Sequence, residues 1–384
     1  MEPTTPERAA RPATVAEAGE RIAAVDKILI TCHRGPDGDS VGSMVALASL
    51  MRAQDKKVTL YCPDPVPRRL KWLPCTRGFV RALKRGARFP LTIVVDCADA
   101  KLLGPQFPGA EVTGEIIALD HHTSACPFGD LYLCDPAASS VGVLVARIAR
   151  HLGWQIPLDA AIGLYTSLVS DTGSFSYANT NAEALHLAAE LVDIGVRPWG
   201  VTEKLQERSS LGRYRLLREA LGTLELRLGG KVAFMTITHA MVSDAGAMWE
   251  DSVELVNYTR AVDKVECGVL FTPAKRGGVR VSMRTKGRVD AGQLCAEFGG
   301  GGHVGAAGCV IQGELAEVQT RIAAVLASAL GMDPQGADVG IIMLAEPATA
   351  ADEPALASAA GEAAEAAEAG PGEAAEPGEP GDAG

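Results

Sequence analysis

Hydrophobic runs in the first half of this chain end repeatedly on Asp or His. Glu115-Ile116-Ile117-Ala118-Leu119 has the pattern of a strand and leads into Asp120-His121-His122. Lys27-Ile28-Leu29-Ile30-Thr31-Cys32 leads into His33-Arg34-Gly35-Pro36-Asp37-Gly38-Asp39-Ser40, and Leu91–Val95 stops at Asp96. A helical pattern over Leu158–Val169 delivers Ser170-Asp171-Thr172-Gly173. Strands and helices alternate throughout this half, which predicts an α/β fold with a doubly wound, mostly parallel sheet and helices on both faces. Such a sheet gathers ligands outside the carboxyl ends of its strands, so the polar clusters would meet at one edge.

Each cluster alone has a plainer reading. Asp-Gly-Asp is a common turn, and an Asp after a strand is a common helix cap. Jointly these readings fail, because unneutralised carboxylates crowded at one sheet edge repel each other and a divalent cation relieves that cost. Neutral imidazole is a frequent metal ligand whose tautomer a neighbouring carboxylate can fix. Oxygen and imidazole donors without thiolate suit Mn²⁺, Mg²⁺ or Co²⁺ better than a closed structural zinc site. Six or seven donors are too many for one ion that keeps open positions. Two ions about 3.5–4 Å apart would activate a water and neutralise a phosphate under in-line attack. No Ser-His-Asp or Cys-His pattern competes.

The chain has 384 residues, room for two domains. We expect residues 1–14 to lack structure, a first α/β domain over 15–195, a helical linker over 196–221, a second, smaller α/β domain over 222–333, and a tail without structure over 334–384. Helices are expected near 15–25, 41–52, 140–152, 158–169, 181–194, 252–261, 291–298 and 315–330. Second-domain strands are expected at 224–228, 231–238, 265–272 and 279–285. Net charge is −11, but the tail from Glu346 carries ten acidic residues and no Lys or Arg, leaving the body near −1. Between strands, Arg68, Arg69, Lys71, Arg77, Arg81, Lys84, Arg85 and Arg88 form either a solvated helical connector or a rim attracting phosphates. The nine cysteines are scattered, without zinc or redox spacing, and fit reduced packing residues. No apolar run approaches the roughly 20 residues of a membrane span, and the first residues lack a signal pattern. A cytoplasmic protein is expected. In the second domain, Phe298-Gly299-Gly300-Gly301-Gly302-His303 offers backbone N–H groups for a phosphate, with Ser282 and Arg284 as further donors.

His33-x-x-Pro36-Asp37-Gly38-Asp39-Ser40-x-Gly42-Ser43, Asp96, Asp120-His121-His122 and Ser170-Asp171-Thr172-Gly173 resemble the four motifs of the DHH phosphoesterase superfamily. Gly299–His303 resembles the signature of the DHH-associated C-terminal domain. The likeness covers residues 15–333, and its spacing is closest to the branch of nanoRNases, 3′-phosphoadenosine-5′-phosphate (pAp) phosphatases and cyclic-di-AMP phosphodiesterases. The resemblance implies one Mn²⁺ on His33, Asp37 and Asp96, and another on Asp39, Asp96, His121 and Asp171. Mg²⁺ or Co²⁺ are the alternatives. It further implies Asp96, Asp120 and His122 as the catalytic group, with Asp120 orienting His121 and His122 facing phosphate. His122, Ser282, Arg284, Gly300, Gly301, Gly302 and His303 would bind substrate in a cleft between the domains, with the Gly195–Pro198 region as a hinge for closure.

The activity expected is two-metal hydrolysis of short oligoribonucleotides (nanoRNA, pApA) to mononucleotides, with pAp phosphatase and cyclic-di-AMP phosphodiesterase activity beside it. The competing readings are a pyrophosphate or polyphosphate hydrolase and a non-catalytic nucleotide- or RNA-binding protein. No membrane partner is expected, and the family's habit of dimerising makes a homodimer an open arrangement.

Overall fold

The computed structural model describes residues 10–333, apart from 124, 125 and 276, together with Ile342–Met343. The expectations for residues 1–9 and for the acidic tail beyond 343 lie outside the described residues.

The first sheet contains β1 (Arg11–Pro12), β2 (Lys27–Cys32), β3 (Lys57–Tyr61), β4 (Phe79–Val80), β5 (Leu91–Val95), β6 (Glu115–Asp120) and β7 (Leu131–Cys134). Their order is β1-β7-β6-β5-β2-β3-β4, with every pairing parallel. From β2 the chain first builds β3 on one side, then crosses to place β5 on the other. The switch point therefore lies between β2 and β5, where a doubly wound sheet opens its crevice. His33 and Asp96 follow those two strands directly. Arg11–Pro12 fall within the segment expected to lack structure, yet Arg11 N–H donates to the Asp130 carbonyl and Ala13 N–H to that of Tyr132.

Around this sheet stand α1 (Val15–Ala23), α2 (Gly38–Arg52), α3 (Ala110–Thr113), α4 (Val141–His151), α5 (Leu158–Asp171) and α6 (Ala182–Ile194). Helix α2 is buried from Gly38 to Met51, as its small and apolar composition on every side requires. It crosses α5 at Gly42 and Gly163. A Cβ on Gly42 would lie 2.6 Å from the Gly163 carbonyl oxygen, and one on Gly163 would lie 2.6 Å from that of Gly42. Two helices touching backbone to backbone leave no room for any side chain there. Helix α2 starts at Gly38, not Val41, because Asp37 caps it: its Oδ1 accepts from Ser40 N–H at 3.0 Å. Helix α5 continues to Asp171, two residues past the expected end.

The basic segment is not a helical connector. It forms short 3₁₀ turns at Arg68–Leu70 and Thr76–Gly78, then the edge strand β4; Pro65, Pro67 and Pro74 break its first part, and Gly86, at φ 77°, breaks its second. Gly195, at φ 120°, ends α6, and α7 (Pro198–Gln206) and α8 (Leu211–Gly222) lead onward.

The second sheet holds β8 (Glu225–Arg227), β9 (Val232–Thr236), β10 (Cys267–Pro273), β11 (Val279–Thr285), β12 (Gly301–His303), β13 (Ala306–Ile311) and β14 (Ile342–Met343). The order is β12-β13-β11-β10-β9-β8-β14, with β9–β10 parallel and the other pairs antiparallel. Alternating residues serve two cores. Val232, Phe234, Val269 and Phe271 pack with α11 (Ala291–Ala296) and α12 (Leu315–Ala329). Met235 and Leu270 pack with α8, α9 (His239–Asp244) and α10 (Val256–Arg260). Helix α9 has no counterpart in the sequence reading. The helix expected over 252–261 divides into a 3₁₀ turn, Trp249–Ser252, and α10, because Glu254 between them sits at φ 71°.

Candidate metal centre

His121 shows what the site is built to hold. Its Nδ1 lies 3.0 Å from the Ala138 carbonyl oxygen, which can only accept, so Nδ1 carries a proton and Nε2 is the nitrogen left to bind an ion. That Nε2 is buried and has no hydrogen-bond partner. Around it stand Asp39 Oδ2 at 3.5 Å, Asp171 Oδ2 at 3.6 Å and Asp96 Oδ1 at 3.9 Å. These separations exceed hydrogen-bond lengths. They match donors that each sit about 2.0–2.2 Å from a common ion.

A second group repeats the design. His33 Nδ1 is 2.8 Å from the Arg34 carbonyl oxygen, which leaves Nε2 facing Asp96 Oδ2 at 3.5 Å and Asp37 Oδ1 at 3.9 Å. Asp96 thus directs one oxygen to each group, and its left-handed backbone (φ 55°) is the kink that turns it off the end of β5. The sequence-predicted donors His33, Asp37, Asp39, Asp96, His121 and Asp171 all converge here. Without cations the carboxylates crowd. Burial, then the charge of Asp96, pushes Asp39 up to about 7. Burial also raises Asp171 to about 7, with Asp39 and Asp37 adding to it against His121. Burial alone would lower His121, but Asp171, Asp39 and Asp96 hold it at about 9. Asp37 goes the other way: burial opposes ionisation, but His33 and Ser40 keep it well below the usual carboxylate range. Protons are shared where divalent cations would sit, and the donor set fits them.

Supporting contacts were only partly visible in the sequence. Asp39 Oδ1 accepts from Ser167 Oγ at 2.5 Å and Ser43 Oγ at 3.1 Å, and its Oδ2 accepts from Val141 N–H at 2.8 Å. Ser43 and Ser167 each stand four residues from a carboxylate on the same helix, a spacing that could have flagged them. Ala138 acts through its carbonyl and carries no side-chain signal.

Asp120 departs from its expected role. It does not touch the His121 ring. Its Oδ1 pairs with His122 Nδ1 at 2.7 Å and accepts from His121 N–H at 2.8 Å, while Oδ2 accepts from Tyr132 OH at 2.9 Å. Asp120 therefore orients His122, and the Ala138 carbonyl orients His121. His122 is raised from its ordinary value, with Asp120 and Asp96 overcoming burial.

The second domain reaches this centre through His303, whose ring stacks on His122 at 4.2 Å and lies 4.9 Å from His121. Burial and then the charge of His122 push His303 down to about 3, so it stands neutral. The glycine run is not the open N–H cradle expected. Gly300 N–H donates to the Cys295 carbonyl and Gly301–His303 form a strand. A Cβ on Gly300 would lie 2.2 Å from the Gly308 carbonyl oxygen, so the run serves close packing that aims His303. Arg284 lies across the sheet from His303, each opposite Ala306 of β13, and Ser282 shares its face of β11. Further contacts join the domains. Arg69 pairs with Glu254 at 2.5 Å, Arg68 N–H donates to Glu250 at 3.1 Å, and the Arg260 guanidinium sits 4.9 Å from the Tyr177 ring centre. The start of the basic segment is thus an inter-domain contact.

Residues 27–189 match the DHH family, N-terminal domain, and residues 229–330 match the DHHA1 domain. The chain is 33% identical over 286 residues to the bifunctional oligoribonuclease and PAP phosphatase NrnA of Thermus thermophilus, covering 74% of this chain and 84% of that one. It belongs to the DHH family of phosphoesterases. The DHH relative of the same name in Bacillus subtilis is 26% identical over 294 residues, 76% of this chain and 91% of that one. Among solved structures, an exopolyphosphatase-related protein from Bacteroides fragilis superposes with a TM-score of 0.74 at 26% identity, covering 83% of this chain and 95% of that one. The DHH phosphoesterases are hydrolases, and the acidic and imidazole clusters of this member could hold divalent metal ions. Among the described residues, no helix is long and apolar enough to cross a membrane.

Proposed function

We propose that this DHH phosphoesterase carries two Mn²⁺ and hydrolyses very short oligoribonucleotides to mononucleotides, with pAp and cyclic-di-AMP or its linear product pApA as further substrates. The observation that carries the reading is Asp96, whose two oxygens face two separate His/Asp groups. His33, Asp37 and Asp96 would hold one ion, and Asp39, Asp96, His121 and Asp171 the other. Bound there, such ions lower the pKa of a water and neutralise phosphate charge.

The chain's own groups do the rest. His122, its Nδ1 proton anchored on Asp120, offers Nε2 to a phosphate oxygen. His303 and Arg284 approach from the second domain, and the Arg fork suits bidentate phosphate binding. Because that domain closes over the metal groups, the cleft favours short substrates. The relatives' oligoribonuclease name supports this substrate class, and nine free cysteines suit a reducing cytoplasm.

The resemblance to an exopolyphosphatase-related structure favours one second reading, a polyphosphate or pyrophosphate hydrolase. Product release from pApA, pAp, cyclic-di-AMP, pyrophosphate and polyphosphate, each with Mn²⁺ titrated in, separates the two. Mn²⁺-dependent cleavage of pApA and pAp is expected. Activity on polyphosphate or pyrophosphate alone would overturn the nucleotide reading.

A further inference from the structure

Two arginines of the second domain stand together beside the first domain without a counter-charge. Arg260 ends α10, and Arg284 lies near the end of β11. Gly268 of β10 ties their positions. A Cβ on Gly268 would lie 2.7 Å from Arg260 N, so the end of α10 presses on the sheet at that point. Gly268 is also directly opposite Arg284 in the β10–β11 ladder. Opposite residues point to one face, so Arg284 rises from the face on which α10 lies. His303 shares that face, since it and Arg284 both stand opposite Ala306. A single row thus crosses the sheet from His303, stacked on His122, through Arg284 to the end of α10. With strands about 4.8 Å apart, the three spacings from His303 to Gly268 cover about 14 Å.

Among the described residues neither arginine is paired with a carboxylate. Arg284 Nη1 donates to the Met283 carbonyl oxygen at 2.9 Å, and the Arg260 guanidinium sits 4.9 Å from the Tyr177 ring centre. The Tyr177 ring in turn lies against Gly173, two residues past Asp171, where a Cβ would be 2.3 Å from Tyr177 Cζ. Glu254, whose charge reaches Arg284, is already paired with Arg69. Both arginines are half-buried. Charge taken from water without a partner is costly, and a like charge beside it adds to the cost. Burial lowers Arg284 from its ordinary value, and Arg260 lowers it further. An anion held by both forks would remove both penalties.

We propose that Arg260 and Arg284 form a clamp for the substrate's 5′-phosphate, the phosphate that is not cleaved. The proposal rests on the nucleotide-hydrolase reading above and names what that site recognises beyond the reacting group. pAp and pApA share one arrangement: a 5′-phosphate, a ribose, and a phosphorus on O3′. In each, water attacks that phosphorus, the bond to O3′ breaks and O3′ takes a proton. pAp then gives AMP and phosphate, and pApA gives two AMP. With the phosphorus at the metal groups beside His122 and His303, the 5′-phosphate lies one nucleoside away along the row, where the two guanidinium forks stand. Each fork suits bidentate contact with a phosphate, and the Tyr177 ring holds Arg260 in place for it.

The test uses the full chain with Mn²⁺ and two substrates, pApA and ApA, which differ only in the 5′-phosphate. The wild-type chain should cleave pApA with the higher kcat/KM, mostly through KM. Arg260→Gln should cut that preference about 10- to 100-fold, as expected for a lost hydrogen bond to a charged group. Arg260→Lys keeps the charge without the fork and should restore part of it. If Arg260 only braces Tyr177, the variant loses equally on both substrates and the clamp is overturned. Equal use of pApA and ApA by the wild-type chain also overturns it, while the hydrolase reading stands. Equilibrium binding of pAp and 3′-AMP to the chain in chelator is read independently of turnover. Tighter binding of pAp that Arg260→Gln abolishes supports the clamp even if neither dinucleotide is cleaved. Equal binding of the two nucleotides by the wild-type chain refutes it.

Discussion

Replacing Gly163 by Ala tests whether the crossing of α2 and α5 sets the metal site. The new Cβ would lie 2.6 Å from the Gly42 carbonyl oxygen, 2.9 Å from Ala46 N and 3.3 Å from Ala46 Cα. All three are backbone atoms, so no side chain can swing away and the helices must separate. Overpacking of this kind costs about 1–3 kcal/mol. Alanine's advantage over glycine within a helix returns at most about 1 kcal/mol. The net loss of up to about 2 kcal/mol lowers Tm by up to about 8 °C for a domain of this size. The same movement separates Asp39, one turn before Gly42 on α2, from Asp171 at the end of α5, and strains the 2.5 Å bond from Ser167 to Asp39. The Mn²⁺ concentration for half-maximal activity should rise about 10-fold, as for other disturbed ligand supports. Gly42→Ala should do the same, and the double variant should lose less than the sum, because one separation accommodates both methyl groups. Gly222→Ala, with nothing within 4 Å of its new Cβ, is the control and should be neutral or slightly stabilising. Thermal melts in chelator and Mn²⁺ titrations of activity give the answer. A Gly163→Ala chain as stable as the Gly222→Ala control, with unchanged Mn²⁺ dependence, refutes the reasoning.

Other outcomes follow from the same centre. Asp39 and Asp171 stand near 7 against an ordinary 3.8, so the metal-free folded chain holds protons there that the unfolded chain has lost. His121, at about 9 against 6.5, gives stability that is complete below 6.5 and lost as pH rises through 9. Both effects make the metal-free protein less stable as pH climbs from about 4 to 9, and Mn²⁺ should raise Tm by increasing amounts over that range; a metal-free Tm that is flat or rising counts against it. Tyr132→Phe leaves a fully buried oxygen of Asp120 without its donor and should cost about 1–3 kcal/mol, read as a lower denaturation midpoint. An unchanged midpoint would show that water replaces the hydroxyl. Of nine free thiols only Cys126 is exposed, so a colorimetric thiol reagent should find one fast group in the native chain and nine after unfolding. Fewer than nine would reveal a disulfide.

The first sheet was legible because its strands are short apolar runs punctuated by Asp, His, Gly and Pro, and the donors were legible because they close those runs. Elements whose boundaries depend on distant partners were not. Asp37 starts α2 three residues early because Ser40 completes its cap, and Glu254 breaks a helix that its neighbours favour. The glycine run was read as an open anion cradle. Its composition did not reveal that the Cys295 carbonyl takes the Gly300 N–H, or that β13 presses close behind.

By itself, the sequence determined which chemical groups the sheet edge would carry, because a strand's end is a local event written in adjacent residues. Only the tertiary structure decided what each group faces. Asp120 holds His122 because the Ala138 carbonyl, 17 residues beyond His121, already holds the other ring. Asp96 serves two groups because β5 lies beside both β2 and β6. His303 completes the cluster from 181 residues beyond His122. The physical reason is that hydrogen-bond and metal geometry is fixed within tenths of an ångström by contacts between segments far apart in the chain.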